Sequence, residues 1–368
     1  MQNRIITQNQ FLEYSGGFNV RGSAFLLSNG ILHETDAKTS HGLIRSSDRF
    51  IIKAVIDSFS AGKDAGEVLD GINRDIPVYA SLDEAIIKVG KPDYCIVGVA
   101  TVGGVLPDSL KSQIRNAITK RISIVNGLHF QLAEQQDMVE LAIKYGVKLV
   151  DVRKPKTFKD LKFWSDEVFK VKCPIVAVMG MDCAIGKRTA AMLLKQGCEK
   201  AGLKAEMIYT GQTGWMQGAK YGFILDSTLN DFVAGELSQA ILSASKIENP
   251  DLIFLEGQSS LRNPSGPCGA EFLISGNAKK VILVHQPVRK YFGSEPNWGE
   301  IPSVENEIDL IKCYGSEVIA LILNTSGLNI EEANYFKEKY VKKLGIPVIL
   351  PLEEGVEELV QSLKNMIK

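Results

Sequence analysis

The chain has 368 residues, 45% of them hydrophobic and 23% charged, with a formal net charge of −1. That length suggests about two domains with real cores, and the near-neutral balance supplies no global field for nucleic acid or an anionic membrane. No apolar run approaches the ~20 residues that span a bilayer. Met1 to Tyr14 lacks the apolar segment of a signal peptide, so a cytoplasmic location is expected. Cysteines 95, 173, 183, 198, 268 and 313 form no Cys-x-x-Cys pair, which argues for free thiols over a disulfide framework or a zinc site.

Residues 1–20 show no periodicity and read as an extension that packs on a neighbour or another subunit; a homo-oligomer is expected. Residues 24–27, 50–57, 93–100, 123–126 and 147–152 read as strands, with Val78 in a shorter one. Asp36 is a candidate helix cap, and Ser81-Leu-Asp-Glu84 has the form of a capping box. Helices are expected over 107–120 and 135–145. The alternation predicts an α/β fold with an open parallel sheet, a Rossmann-like domain over 21–153. Ligands of such sheets lie off the carboxyl ends of strands, which points to Asp57, Gly103-Gly104, Gly127-Leu-His129 and Asp151-Val-Arg153. Packing and turn duty explain these loops equally well, and no Gly-x-Gly-x-x-Gly fingerprint is present. Residues 154–172 are polar and charged and read as a linker. Their Phe158, Leu161, Phe163, Trp164, Val168 and Phe169 predict a docked helix rather than a free tether.

The second domain, 173–368, opens on the most informative stretch. Ile175 to Met179 is an apolar run typical of a buried parallel strand. It breaks at Gly180 and loops through Met181, Asp182, Cys183, Ala184 and Ile185. Order resumes at Gly186-Lys187 as a helix carrying Ala190, Ala191, Leu193 and Leu194. Strand, glycine loop, Gly-Lys and helix are the parts of a phosphate-binding P-loop, in which loop N–H groups, the helix N-terminus and Lys187 meet an anion. The spacing is Gly-x5-Gly-Lys, similar to the dethiobiotin-synthetase branch of P-loop NTPase-like proteins. Arg188 stands where a Mg²⁺-binding Ser or Thr is expected, and Thr189 comes one place later, about 100° round the helix.

Residues 205–210 read as the next strand, followed by Gly211-Gln212-Thr-Gly214. Asp226 precedes an amphipathic helix that ends near residue 246. Residues 251–256 form a buried strand that delivers Glu256 to its carboxyl end, ahead of Gly257-Gln258, where a Walker B-type acid faces phosphates. Residues 280–285 are a strand leading into His285-Gln-Pro-Val-Arg289, and 317–324 and 347–351 add two more.

Taken together, Ala37-Lys-Thr-Ser40, Val55-Ile-Asp-Ser58, Asn126-Gly-Leu-His129, Asp151-Val-Arg153, Gly180–Thr189, Thr210-Gly-Gln-Thr-Gly214, Asp231-Phe-Val-Ala-Gly235 and Glu256-Gly-Gln-Ser-Ser-Leu261 are more specific than a lone P-loop. From about residue 21 to the C-terminus the chain resembles the P-loop family of the D-glutamate N-acetyltransferase DgcN, formerly a domain of unknown function. It departs from that pattern at Ser259, usually Gly, at Ser238, usually an acid, and in the loop 262–269.

The resemblance implies acyl-CoA-dependent transfer onto the amine of a small amino acid, D-glutamate or a relative, with acetyl-CoA or another acyl-CoA as co-substrate and its diphosphate on the P-loop. Glu256, Asp226 and His285 are the candidate bases, and Gln212, Gln258 and loop amides the candidate oxyanion donors. Arg153, Arg289 and Lys38 are candidate clamps for a substrate carboxylate, with His129 in acceptor recognition. Surface ion pairs account for each of these residues as well. Two other readings stay open. One is an ATP-dependent carboxylate-activating enzyme or kinase whose Mg²⁺ is shared by Asp182, Thr189 and Glu256. The other is a nucleotide-binding switch, against which the missing Asn-Lys-x-Asp stretch counts where GTP is concerned, Asn324-Thr-Ser326 being a faint echo.

Overall fold

The computed structural model describes residues 20–101 and 104–367. All but the last residue of the expected extension lies outside them, as does Gly103 of the loop that follows the fourth strand. The chain divides into two compact units. The first holds the described residues through Leu161 together with Gly211–Ala219 and Ile224–Thr228; the second holds Lys162–Thr210, Lys220–Phe223 and the residues from Leu229 onward. The division is thus not a single cut: two short segments from the P-loop half of the sequence belong to the first unit.

The first unit is built on six parallel strands: β1 (Gly22–Leu27), β2 (Phe50–Ile56), β3 (Val78–Tyr79), β4 (Tyr94–Val97), β5 (Ser123–Asn126) and β6 (Leu149–Asp151). Their order, β3-β2-β1-β4-β5-β6, is that of a dinucleotide-binding Rossmann sheet. Helices α1 (Lys38–Arg45), α2 (Ala65–Asp70), α3 (Leu82–Val89), α4 (Asp108–Thr119) and α5 (Gln136–Tyr145) connect them. Phe25, Leu27, Ile114, Ile118 and Ile124 are fully buried in one continuous core, each stabilising by roughly 1.5–3 kcal/mol.

The first unit also takes α6 (Gln212–Gln217), where the sequence reads only as a loop. The second unit carries seven parallel strands: β7 (Ile175–Gly180), β8 (Ala205–Tyr209), β9 (Tyr221–Gly222), β10 (Leu252–Glu256), β11 (Lys280–His285), β12 (Glu317–Leu323) and β13 (Val348–Ile349). Their spatial order is β13-β12-β11-β7-β10-β8-β9. β7 and β10 are buried along their whole lengths, as unbroken apolar runs require in a sheet covered on both faces. Both units confirm the α/β reading.

Three local expectations are corrected. Asp36 caps no helix: it sits in a 3-10 turn, Thr35–Ala37, and α1 starts from Ala37 without a side-chain cap. The Ser81 box is half built. Ser81 Oγ accepts from Glu84 N at 3.2 Å, but the Glu84 carboxylate accepts from Ala80 N instead of Ser81 N. The 154–172 segment forms no α-helix; its only helical turn is the 3-10 stretch Asp166–Lys170. Its aromatic spacing mimics a helix, but Lys162 N donates to Glu236 Oε1 at 2.9 Å, so the backbone is committed to a partner 74 residues away. Gly235 makes this approach possible, since a Cβ there would stand 1.7 Å from the Lys162 carbonyl oxygen.

Candidate functional site

In the second unit the P-loop is assembled around a buried lysine. β7 ends at Gly180, and α7 (Lys187–Lys200) begins after Gly186, whose φ of +99° favours glycine. Lys187 is 6% exposed. Its aliphatic stem runs over two glycines: a Cβ at Gly180 would lie 2.8 Å from Lys187 Cδ, and one at Gly257 would lie 3.2 Å from it. The ammonium donates to the Asp182 carbonyl. Burial lowers the Lys187 pKa to about 8, against the upward pull of Cys183, Asp182, Cys268 and Glu256.

The loop has the backbone form of a nest. Ala184 (φ +53°) and Gly186 (φ +99°) flank Ile185 in left-handed conformations, which turn successive N–H groups to one side. None of the N–H groups from Asp182 to Gly186 donates to a protein acceptor among the described residues. The carbonyl side of the loop is tied back instead. Asn324 Nδ2 donates to Ile185 O at 3.0 Å, and Arg289 Nη1 donates to Cys183 O at 2.9 Å.

Asp182 is the strut of this loop. It is wholly buried, and its carboxylate accepts from Arg289 Nη1 (3.0 Å) and Gly293 N (2.8 Å) at Oδ2 and from Asn263 Nδ2 (2.7 Å) at Oδ1. Arg289, a candidate substrate clamp, is therefore engaged in holding the P-loop. Asn263 carries no local sequence signal for this role, since its partner Asp182 lies 81 positions away. Glu256 emerges beside β7 in register with Val178 and is buried, with Oε2 accepting from Thr210 N at 2.9 Å. Met181 is buried, Arg188 and Thr189 are half-buried on the first turn of α7, and Gln258 is half-buried after β10. His285 is drawn away by its ring: Nε2 lies 3.0 Å from the Tyr340 hydroxyl, and burial lowers its pKa to about 4.

The first unit gathers the other candidates at the carboxyl ends of β5 and β6. Arg153 donates from Nε (3.2 Å) and Nη2 (2.7 Å) to the two oxygens of Asp226, from Nη2 to Gln212 Oε1 (3.0 Å), and from Nη1 to Gly127 O (2.5 Å). His129 Nε2 stands 3.8 Å from Asp226 Oδ2, with the imidazole 55% exposed. Its pKa is lowered by burial and by the Arg153 and Lys38 cations, with Asp226 opposing them. Gln212 Nε2 reaches Thr39 Oγ1 at 3.5 Å, and Thr39 and Thr213 share a hydroxyl hydrogen bond of 3.0 Å. Gly127 accommodates α6, because a Cβ there would lie 2.9 Å from Gln212 Cγ and 2.9 Å from Met216 Cε. Thr39 and Thr213 sit inside motifs quoted from the sequence, and their pairing needs the fold to be seen. Asp151 does not pair with Arg153: it is buried and accepts from Asn126 Nδ2, Leu132 N and Ala133 N. Asp57 likewise organises its own turn, accepting from Leu32 N and Ser60 N.

Residues 162–360 match the family model described as "Domain of unknown function (DUF1611_C) P-loop domain", and residues 58–155 match "Domain of unknown function (DUF1611_N) Rossmann-like domain". The chain is similar to a D-glutamate N-acetyltransferase of Pseudoalteromonas sp., at 26% identity over 75% of this chain and 82% of the relative. It is similar to one of Tritonibacter scottomollicae at 28% identity over 77% and 84%. A crystal structure of a DUF1611 family protein from Anabaena variabilis superposes with a TM-score of 0.86 at 28% identity, covering 94% of this chain and all of that one. With a Rossmann-like domain, a P-loop domain and the P-loop model alone spanning more than half of its length, the chain belongs to the DUF1611 family.

Proposed function

We propose that the protein is an acyl-CoA-dependent N-acyltransferase acting on the amine of a small amino acid, D-glutamate or a close analogue, with the P-loop binding the CoA diphosphate. The observation that carries this reading is the unpaired row of N–H groups from Asp182 to Gly186 beside the buried Lys187. Such a nest satisfies phosphate oxygens without any change in the protein. The names of the two similar N-acetyltransferases support the reaction class. The chemistry that acyl-CoA supplies is an activated thioester carbonyl; the protein supplies anchoring, orientation and proton handling.

The donor set favours CoA over ATP·Mg²⁺. A Mg²⁺ site shared by Asp182, Thr189 and Glu256 competes with bonds already made: Asp182 Oδ2 accepts from Arg289 Nη1 and Gly293 N, Asp182 Oδ1 from Asn263 Nδ2, and Glu256 Oε2 from Thr210 N.

A thermal-shift panel of acetyl-CoA, CoA, ATP·Mg²⁺ and GTP·Mg²⁺ tests the reading. A ligand at 100 times its Kd stabilises by about 2.7 kcal/mol. Acetyl-CoA and CoA are expected to raise Tm, and transfer to an amino acid is expected to survive EDTA. Stabilisation by ATP·Mg²⁺ alone, with ATP consumed, replaces this reading with the carboxylate-activating one; stabilisation by GTP·Mg²⁺ alone, without turnover, replaces it with the switch.

A further inference from the structure

The charged node of the first unit combines groups that are committed with groups that are open. Arg153 is committed. Its side chain is only 11% exposed, and its N–H groups go to both oxygens of Asp226, to Gln212 Oε1 and to Gly127 O. Asp226 is half used. It lies in the 3-10 turn Leu225–Ser227, within the same unit, and its side chain is 43% exposed. Each of its oxygens takes one N–H from Arg153, whereas a carboxylate offers about four lone-pair sites. His129 stands beside it with Nε2 3.8 Å from Asp226 Oδ2, beyond hydrogen-bond reach, so neither exposed group satisfies the other. The charges that act on the ring are Arg153, Asp226 and Lys38 at the start of α1. Burial and the two cations hold the His129 pKa below its ordinary value, with Asp226 opposing them, so the ring is neutral at pH 7. Two cations against one carboxylate leave the node with a positive excess.

We propose that this node binds a free acidic amino acid, with Asp226 taking the α-ammonium and His129 and Lys38 taking carboxylate oxygens. Naming an amino acid as the ligand rests on the acyltransferase reading; the binding itself is contained in the first unit, to which all of these residues belong. An ammonium brings three donors, and the lone pairs that Asp226 keeps towards solvent accept them. The imidazole N–H and the Lys38 ammonium supply donors to the carboxylates. Arg153 is a positioning residue here: its bidentate pair fixes the direction in which Asp226 faces, and it is not itself a carboxylate clamp. Net charge then selects among amino acids. An acidic one is a monoanion at neutral pH and matches the positive excess of the node, whereas a neutral one does not.

Isothermal titration of the full-length protein near pH 7.5, without CoA, tests this with D-glutamate, with glutarate, which lacks the amine, and with D-glutamine, which lacks the second charge. D-Glutamate is expected to bind about tenfold more tightly than either. Asp226→Asn is expected to weaken D-glutamate by about tenfold and to leave glutarate unchanged or tighter, so that the preference for the amine disappears. Lys38→Met is expected to weaken D-glutamate and glutarate alike. A merely structural role for Asp226 would weaken both ligands together in Asp226→Asn, and that outcome overturns the assignment. The comparison of ligands on the wild type needs no variant: equal affinity for D-glutamate and glutarate, or no binding of D-glutamate, overturns it as well. The acyltransferase reading outlives that failure if CoA is still released from acetyl-CoA with some amino acid. Absence of CoA release across a D- and L-amino-acid panel overturns that reading, whatever the titrations show.

Discussion

Arg289 Nη1 lies 3.0 Å from Asp182 Oδ2, and the carboxylate it meets is fully buried in the P-loop. A buried ion pair is worth little relative to an apolar replacement of both partners, but removing one partner strands the other charge. Asn263 Nδ2 and Gly293 N remain on Asp182 when Arg289 is lost, so the carboxylate keeps two donors and loses its countercharge. Arg289→Ala is expected to destabilise the protein by about 3 kcal/mol, read by urea denaturation at pH 7. It is also expected to weaken CoA binding, because the same guanidinium holds the Cys183 carbonyl. An Arg289→Ala protein with unchanged stability and CoA affinity would mean the pair does not order the loop.

Lys187 has a pKa lowered to about 8, chiefly by burial. A phosphate favours the ammonium and so raises that pKa in the complex. Binding is therefore strongest below about pH 8, where Lys187 is already charged, and weakens above it, because the ligand must then bring a proton with it. CoA affinity is expected to be flat from pH 6.5 to 7.5 and to drop by up to about tenfold per pH unit above 8. Isothermal titration in two buffers of different ionisation enthalpy checks this through proton uptake above pH 8. In Lys187→Met both the affinity and its pH dependence should be lost; a Met variant binding CoA as well as the wild type refutes the P-loop assignment.

Ser259 adopts a φ of +39°, a left-handed conformation that costs a residue with a Cβ roughly 1–3 kcal/mol. Its hydroxyl also accepts from Cys183 Sγ at 3.2 Å, a weak bond that offsets part of the strain. Ser259→Gly is expected to stabilise by a few tenths to about 1 kcal/mol. A loss of Tm in Ser259→Gly would show that the Cys183 contact outweighs the backbone strain.

What the sequence reveals here follows the range of the interactions. β11 is read to the residue, because Lys280–His285 is one apolar run with breaks on either side. The P-loop is read from local chemistry, since Gly180, Gly186 and Lys187 are within eight positions of one another. The node around Arg153 is not readable in that way. Gln212 and Asp226 stand 59 and 73 positions from Arg153 and lie in the other half of the sequence. The sequence does carry a trace of it in Gly127, whose missing Cβ is what α6 needs, but that glycine is indistinguishable from a turn residue until the helix is in place. The helices Val304–Cys313 and Ile330–Leu344 are a different case. Ser303 caps the first, and the second has Asn329 and Glu332 in a capping box with Gly345 at its end, so both carry local sequence signals.

His285 tests whether a buried imidazole at the end of β11 is a stability element. Its Nε2 lies 3.0 Å from the Tyr340 hydroxyl and its ring meets Tyr340 edge-on at 5.5 Å between centroids. Burial lowers its pKa to about 4, with Lys339 adding to the effect and Glu305 opposing it. The folded state therefore prefers the neutral ring, while the unfolded chain takes up a proton near the ordinary value of about 6.5. The sign follows: the contribution is fully present above pH 6.5 and is lost as pH falls towards 4. The loss is on the order of 3 kcal/mol for a group this deeply buried. Urea unfolding of the wild type at pH 7, 6, 5 and 4.5 is expected to show that decline. His285→Phe keeps the edge-on contact and cannot titrate, so its stability should start lower at pH 7, for want of the Tyr340 hydrogen bond, and fall less between pH 6.5 and 4.5. If the two proteins lose stability in parallel across that range, the acid sensitivity belongs to other groups, and the buried His285 ring has no part in it.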